Sequence, residues 1–235
     1  MKFCFRVGTL ITLLGLMSCP MSVRASQIIV GNLNQTPDPV SSPSVIDPSD
    51  FWAQEFSSGV SATLQSVDAS LGNFVAGTGG FTLTAQLFEV SSESNTPDMG
   101  TLVATLTQNG AIPTSGFANV EFDAASSVLL NPNAFYWFVL SASSGDGNGL
   151  VDWQFTDSPS NMGPGSLPNV ASMSTFFPTP PWSLSSGTPF LVQVNGTIAV
   201  VPEPSTLVMG CAGFSAVLLA AFWSRSRRDG RLASK

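Results

Sequence analysis

Phe81-Thr82-Leu83-Thr84-Ala85-Gln86-Leu87-Phe88-Glu89-Val90 decides the fold class. Apolar Phe81, Leu83, Ala85 and Leu87 alternate with polar Thr82, Thr84 and Gln86. A period of two sends successive side chains to opposite faces, so the stretch predicts a β-strand with one face on a core. Glycine-rich residues 72–80 form a turn before it and polar residues 91–100 a turn after it. The strand pattern then resumes in Thr101-Leu-Val-Ala-Thr-Leu106.

Further out the same reading repeats. Upstream, Phe51-Trp-Ala-Gln-Glu-Phe56 and residues 63–71 read as strands, and apolar Ile28-Ile29-Val30 opens residues 26–33. Pro37, Pro39, Pro43 and Pro48 among serines and aspartates make 35–50 a loop or arm. Downstream come strands at 117–122 and 128–130, then the turn Asn131-Pro132-Asn133. Ala134-Phe-Tyr-Trp-Phe-Val-Leu140 is nearly continuous in aromatic and aliphatic residues, which suits a buried central strand and places Trp137 in the core. After a turn at 145–149, Val151, Trp153 and Phe155 share one face of the next strand. Residues 157–182 carry six prolines and predict a long ordered loop with a short strand near 173–176. Strands at 189–194 and 196–200 close the domain, and nothing between 26 and 200 has a helical period. About nine short strands separated by turn residues predict an all-β fold, an antiparallel β-sandwich of jelly-roll-like style.

Charge divides the chain sharply. All eight Lys and Arg (Lys2, Arg6, Arg24, Arg225, Arg227, Arg228, Arg231 and Lys235) lie in the terminal segments, and there is no His anywhere. Of the fifteen acidic residues only Glu203 and Asp229 fall outside 26–200, which leaves thirteen carboxylates there and not one cation. Side-chain salt bridges cannot form within such a domain. Nucleic acid is excluded as a partner, because no cation is present to neutralise phosphate. Cys4, Cys19 and Cys211 all lie outside it as well, so it has no disulfide and no thiolate metal site.

The two ends read as addresses. Lys2 and Arg6 precede an apolar run at 7–17, and Val23-Arg24-Ala25 offers a small-residue cleavage site. Residues 1–25 are therefore expected to be a helical signal peptide that hands the chain to the Sec export machinery. Leu16-Met17-Ser18-Cys19 offers a rival, a lipobox in which Cys19 is lipidated. At the other end stand Val201-Pro202-Glu203-Pro204, an apolar run at about 206–223, and the cluster Arg225, Arg227, Arg228 and Arg231. Pro202 and Pro204 fix φ, remove two backbone donors and bias their predecessors towards extended conformations. The apolar run is slightly short of the ~20 residues that cross a bilayer comfortably, and arginines beside it keep that end cytoplasmic. A transmembrane helix there places residues 26–200 across the inner membrane, as an ectodomain.

That order of rigid motif, span and basic tail in residues 201–235 resembles the PEP-CTERM sorting signal of Gram-negative bacteria. The resemblance implies a membrane-embedded exosortase-type enzyme that recognises and processes the tail, followed by delivery to the cell surface or extracellular matrix. A plain tail anchor with Pro-Glu-Pro as linker is the other reading. Within the domain, Phe51-Trp-Ala-Gln-Glu-Phe-Ser-Ser-Gly59, Ala62-Thr-Leu-Gln-Ser-Val67, Phe81-Thr-Leu-Thr-Ala-Gln-Leu-Phe88 and Gly100-Thr-Leu-Val-Ala-Thr-Leu106 are similar to choice-of-anchor R domains. That family has a shorter, Gly-Pro-rich turn before the glycine than residues 91–99 here. The resemblance implies a β-rich exported domain and no particular activity.

Chemistry has few places to reside. Without His, Lys or Arg, no Ser-His-Asp, Ser-Lys or Cys-His arrangement can be assembled within 26–200, and a non-enzyme is expected. Glu55, Glu89, Glu121, Asp123 and Asp152 are the acids available for glycoside cleavage, and nothing in their spacing pairs them. Asp152, flanked by Val151 and Trp153, should lie on the opposite, solvated face. Asp146, Asn148 and Asp152 could supply hard oxygen ligands to Ca²⁺. Asp-Gly-Asn-Gly is equally a glycine-permitted hairpin turn that needs no metal. Trp182, in the proline-rich loop, is either a glycan-stacking residue or an aromatic that seals one end of the sandwich. Two functions therefore stand: a non-catalytic surface or matrix protein in an exopolysaccharide or biofilm setting, and a carbohydrate-binding module assisted by calcium.

Overall fold

The structure is a computed structural model that describes residues 26–38, 44–73, 83–93, 95–142, 151–158, 160–174, 182–185 and 188–199. The expected signal helix, the expected transmembrane helix and the Val201–Pro204 motif lie outside these residues. Among the described residues no helix is long and apolar enough to cross a membrane.

The described chain is all-β and antiparallel. Its strands are β1 (Gln27–Gly31), β2 (Ser44–Ile46), β3 (Asp50–Ser57), β4 (Ala62–Asn73), β5 (Leu83–Val90), β6 (Thr101–Asn109), β7 (Phe117–Leu130), β8 (Phe135–Ala142), β9 (Val151–Trp153), β10 (Val170–Ser174), β11 (Ser183–Ser185) and β12 (Val192–Ile198). A single 3₁₀ turn, Pro97–Met99, interrupts the link from β5 to β6. In β5 the expected alternation holds: Leu83, Ala85 and Leu87 are buried while Thr84 and Gln86 are partly open.

Hydrogen bonding runs along one path, β1-β12-β4-β7-β6-β5-β8-β3-β10-β11, with β9 joining β2 to β4 beside it. β6 is the corner. Its first part pairs with β5 from Thr101 to Leu106, and its last part pairs with β7 from Leu106 to Asn109. A strand that changes partner midway lets a sheet curl back over itself. Across the interior, Phe122 of β7 meets Phe138 of β8 with ring centroids 5.5 Å apart, although β6 and β5 separate those strands along the sheet. An aromatic column fills the middle. Phe190 stacks on Trp153 at 4.1 Å and on Phe155 at 4.5 Å, and Trp52 meets its edge at 5.7 Å.

Residues 162–174 tie the two ends of the path together. Gly31 of β1 exchanges both backbone bonds with Met162, and Gly165 donates to Ile29. Ser57 of β3 exchanges bonds with Ser166, and Glu55 donates to Asn169. Within the proline-rich loop read from the sequence, residues 162–169 thus form a hydrogen-bonded strap leading into β10, which starts earlier than the strand expected near 173–176 and overlaps it at Met173 and Ser174. Other boundaries differ too. The arm at 35–50 contains β2, because Val45 and Ile46 find a ladder partner in β9. The two strands expected at 117–122 and 128–130 are one, whose register to β4 jumps from Ser66↔Asp123 to Leu64↔Val128. The extra residues between Asp123 and Val128 form a bulge that no alternation pattern marks.

Trp137 is fully buried, but outside the main core. Its strand alternates sides, so Tyr136, Phe138 and Leu140 face the interior. Trp137 and Val139 point outward and join Ala53, Val90 and Ala171 in a second apolar cluster. Loop 91–100 covers part of that cluster, with the Trp137 indole donating to the Asn95 carbonyl at 2.8 Å.

Candidate functional site

With no cation available, amides hold the buried polar network. Asn32 donates from Nδ2 to the Phe190 carbonyl and accepts the Val192 amide at Oδ1, at 2.9 and 2.8 Å. Gln54 donates to the carbonyls of Glu55 and Asn169, both at 2.9 Å, and accepts the Phe190 amide at 2.8 Å. Carboxamides suit this task, since one end donates twice and the other accepts twice.

Two acidic places stand out against that background. The first is Glu55 on β3, fully buried on the outer face, directly across the ladder from Trp137. Its Oε2 accepts the Asn169 side-chain amide at 2.6 Å, and its Oε1 has no partner. The same Asn169 nitrogen donates to the Glu93 carbonyl at 3.1 Å. Burial is the main reason the Glu55 carboxyl rises from 4.5 to about 8; the Asn169 bond opposes the rise, and the Glu93 charge adds to it.

The second is a strip on the outer face of β4, β7 and β12. Asp68 stands directly opposite Glu121, and Asp123 lies two residues further along β7, opposite Ser66. Asn195 donates to Asp68 at 2.7 Å and Asn109 to Glu121 at 3.2 Å. Desolvation, and then the Glu121 and Asp123 charges, push the Asp68 carboxyl upward. Glu121 and Asp123 line an open hollow of about 490 Å³ with Ser66, Gln193 and Asn195. Linear spacing had left these acids unpaired. The strand register supplies the pairing, with Asp68 as the member that sequence reading overlooked. No three acidic groups among the described residues converge closely enough to hold a metal ion.

The remaining candidates scatter. Glu89 is within 3.5 Å of the Asn131 side-chain amide, far along β5 from the strip. Asp152 does lie opposite Val151 and Trp153, yet it is buried, not solvated. β9 is an inner strand here, and Asp152 is flanked by Val45 of β2 and Gly72 of β4. Desolvation pushes its carboxyl up. Asp146 and Asn148, its proposed co-ligands, lie outside the described residues, as do Arg225, Arg227, Arg228 and Arg231. Trp182 is half-buried against the outer apolar cluster, beside half-buried Phe88 and Phe135. It seals the outside of the sheet rather than an end of the fold.

No family model matches the chain, and no curated protein shows significant similarity to it.

Proposed function

We propose that the chain is an exported, non-catalytic surface or matrix protein, sorted through its C-terminal segment. On this reading residues 1–25 direct export and the apolar run at 206–223 halts the chain in the inner membrane. An exosortase-type enzyme then acts near Val201-Pro202-Glu203-Pro204, a PEP-CTERM-like motif, before the domain reaches exopolysaccharide or biofilm matrix. The curled antiparallel sheet serves as a jelly-roll-like sandwich, similar in role to choice-of-anchor R domains. The observation that carries the proposal is charge placement: every Lys and Arg lies in the two terminal segments and thirteen carboxylates lie between them. Arginines beside an apolar run stay on the cytoplasmic side, while a domain without cations has none to retain it there. The test is intact mass measurement of the protein from cells with and without the processing enzyme. Loss of the residues after the Pro-Glu-Pro region only where the enzyme is present supports the proposal. An intact C-terminus in both strains reduces the tail to an ordinary anchor.

A second reading, a carbohydrate-binding module, is favoured by one observation. Trp182, Phe88 and Phe135 are all half-open on one outer patch, and aromatic faces pack against sugar rings. On this reading Asp146, Asn148 and Asp152 hold an assisting Ca²⁺. A glycan array with and without chelator tests it: saturable binding abolished by Trp182→Ala supports the module, and no binding refutes it.

A further inference from the structure

Glu55 is the one fully buried carboxyl among the described residues with an oxygen that meets no donor. Its surroundings are unequal in strength. β3 is laddered to β8 on one side and to β10 on the other. The third wall, loop 91–100, has no ladder. Side-chain bonds tie it to the sheet, among them Trp137 to the Asn95 carbonyl at 2.8 Å and Asn169 to the Glu93 carbonyl at 3.1 Å. Pro97 is its buried apolar anchor.

We infer that Glu55 is a proton-held latch: while its carboxyl is neutral, Asn169 bridges β3 to loop 91–100, and loss of the proton releases that loop from the outer face. An ionised carboxylate in this position needs solvent, because no cation exists in the domain to pair with it. Hydration through β8 or β10 breaks a ladder, whereas hydration through the loop breaks side-chain bonds such as those from Trp137 and Asn169. Glu93 is the charged group that faces Glu55, and it travels away with the loop. Asp98 on the same loop is engaged with the Thr96 hydroxyl, and Glu89 of β5 points to Asn131. β8 and β10 present no titratable side chain towards it, since Tyr136 faces the interior. Opening uncovers Trp137, an apolar surface that is closed in acid. The inference is independent of where in the cell the chain resides.

Hydrogen exchange of the full chain between pH 5 and 9 tests the latch. The Trp137 indole N–H, bonded to the Asn95 carbonyl of the loop, reports its opening after correction for intrinsic exchange. With the closed-state carboxyl at about 8 against 4.5 when exposed, the opening constant should rise nearly tenfold per pH unit from about pH 5 to 8, then level off. Glu55→Gln, neutral at every pH and able to accept the Asn169 bond, should show the same opening constant throughout. Parallel pH profiles for wild type and E55Q overturn the latch. So does an equal pH-dependent loss of protection in β4, which would make the effect global. Should E55Q not fold, the Glu55 δ-carbon resonance in wild type decides: a midpoint near 8 supports the latch, and an ordinary carboxylate midpoint overturns it.

Discussion

Each buried polar side chain in this domain has to be held without an ion pair, and carboxamides do much of it beside hydroxyls such as Ser58 and Thr156. Asn32 binds the Phe190 carbonyl and the Val192 amide from the far end of the sequence. Asn32→Leu leaves both backbone groups buried and unmatched, and should cost about 3 kcal/mol, read from urea denaturation. Tyr136 is a comparable case: its hydroxyl accepts the Asn131 amide at 2.7 Å while its ring stacks on Phe56. Tyr136→Phe keeps the stack, loses the acceptor and should cost about 1–2 kcal/mol by the same measurement. The Asp68–Glu121 pair works in the opposite direction, since like charges directly across a ladder repel. Glu121→Lys should stabilise the fold by about 0.5–1 kcal/mol, more at low salt than at high. At this scale the sequence was partly legible. Alternation put Asp152 on the correct face, but whether an outer face is wet depends on what folds over it. The burial of Asp152 and Glu55 therefore had no local signature.

Among the elements, the strap at 162–169 depends on glycine. Gly163 has φ of +84°, and a Cβ there would meet the Ile29 carbonyl oxygen at 2.4 Å. Gly165 runs between β1 and β3 so closely that a Cβ would lie 2.1 Å from the Ser57 oxygen and 2.8 Å from Val30 Cβ. Neither neighbour can yield without breaking a ladder. Gly165→Ala should therefore detach the strap and cost about 3 kcal/mol or more, with exchange protection lost first at Gly31 and Ser57. β5, with its period of two, and β8, with its nearly continuous apolar run, were readable from the order of residues alone. β2, three residues between prolines, was not, because its stability comes from β9 rather than from its own propensity. The strap was hidden for a related reason. Prolines mark irregular backbone, yet its hydrogen bonds go to strands more than a hundred residues earlier.

At the scale of the molecule, three carboxyls among the described residues have values raised by burial: Glu55, Asp68 and Asp152. Between their ordinary and raised values the folded chain binds more protons than the unfolded one, so stability falls as pH climbs. The urea midpoint should be higher at pH 5 than at pH 8, and added salt should narrow the gap by screening the crowded carboxylates. An equal or higher midpoint at pH 8 would contradict the charge account of the fold.

That account also requires the bilayer to separate the acidic domain from the arginine tail. The domain has no cysteine of its own, so Leu129→Cys, on the exposed side of β7, and Ser234→Cys, in the tail, can each be probed with a membrane-impermeant maleimide in intact cells that lack the processing enzyme and so keep the tail. Labelling of L129C without lysis, with S234C reached only after the inner membrane is broken, is the predicted result. Labelling of L129C only after that membrane is broken would place the domain in the cytosol and contradict the proposed sorting.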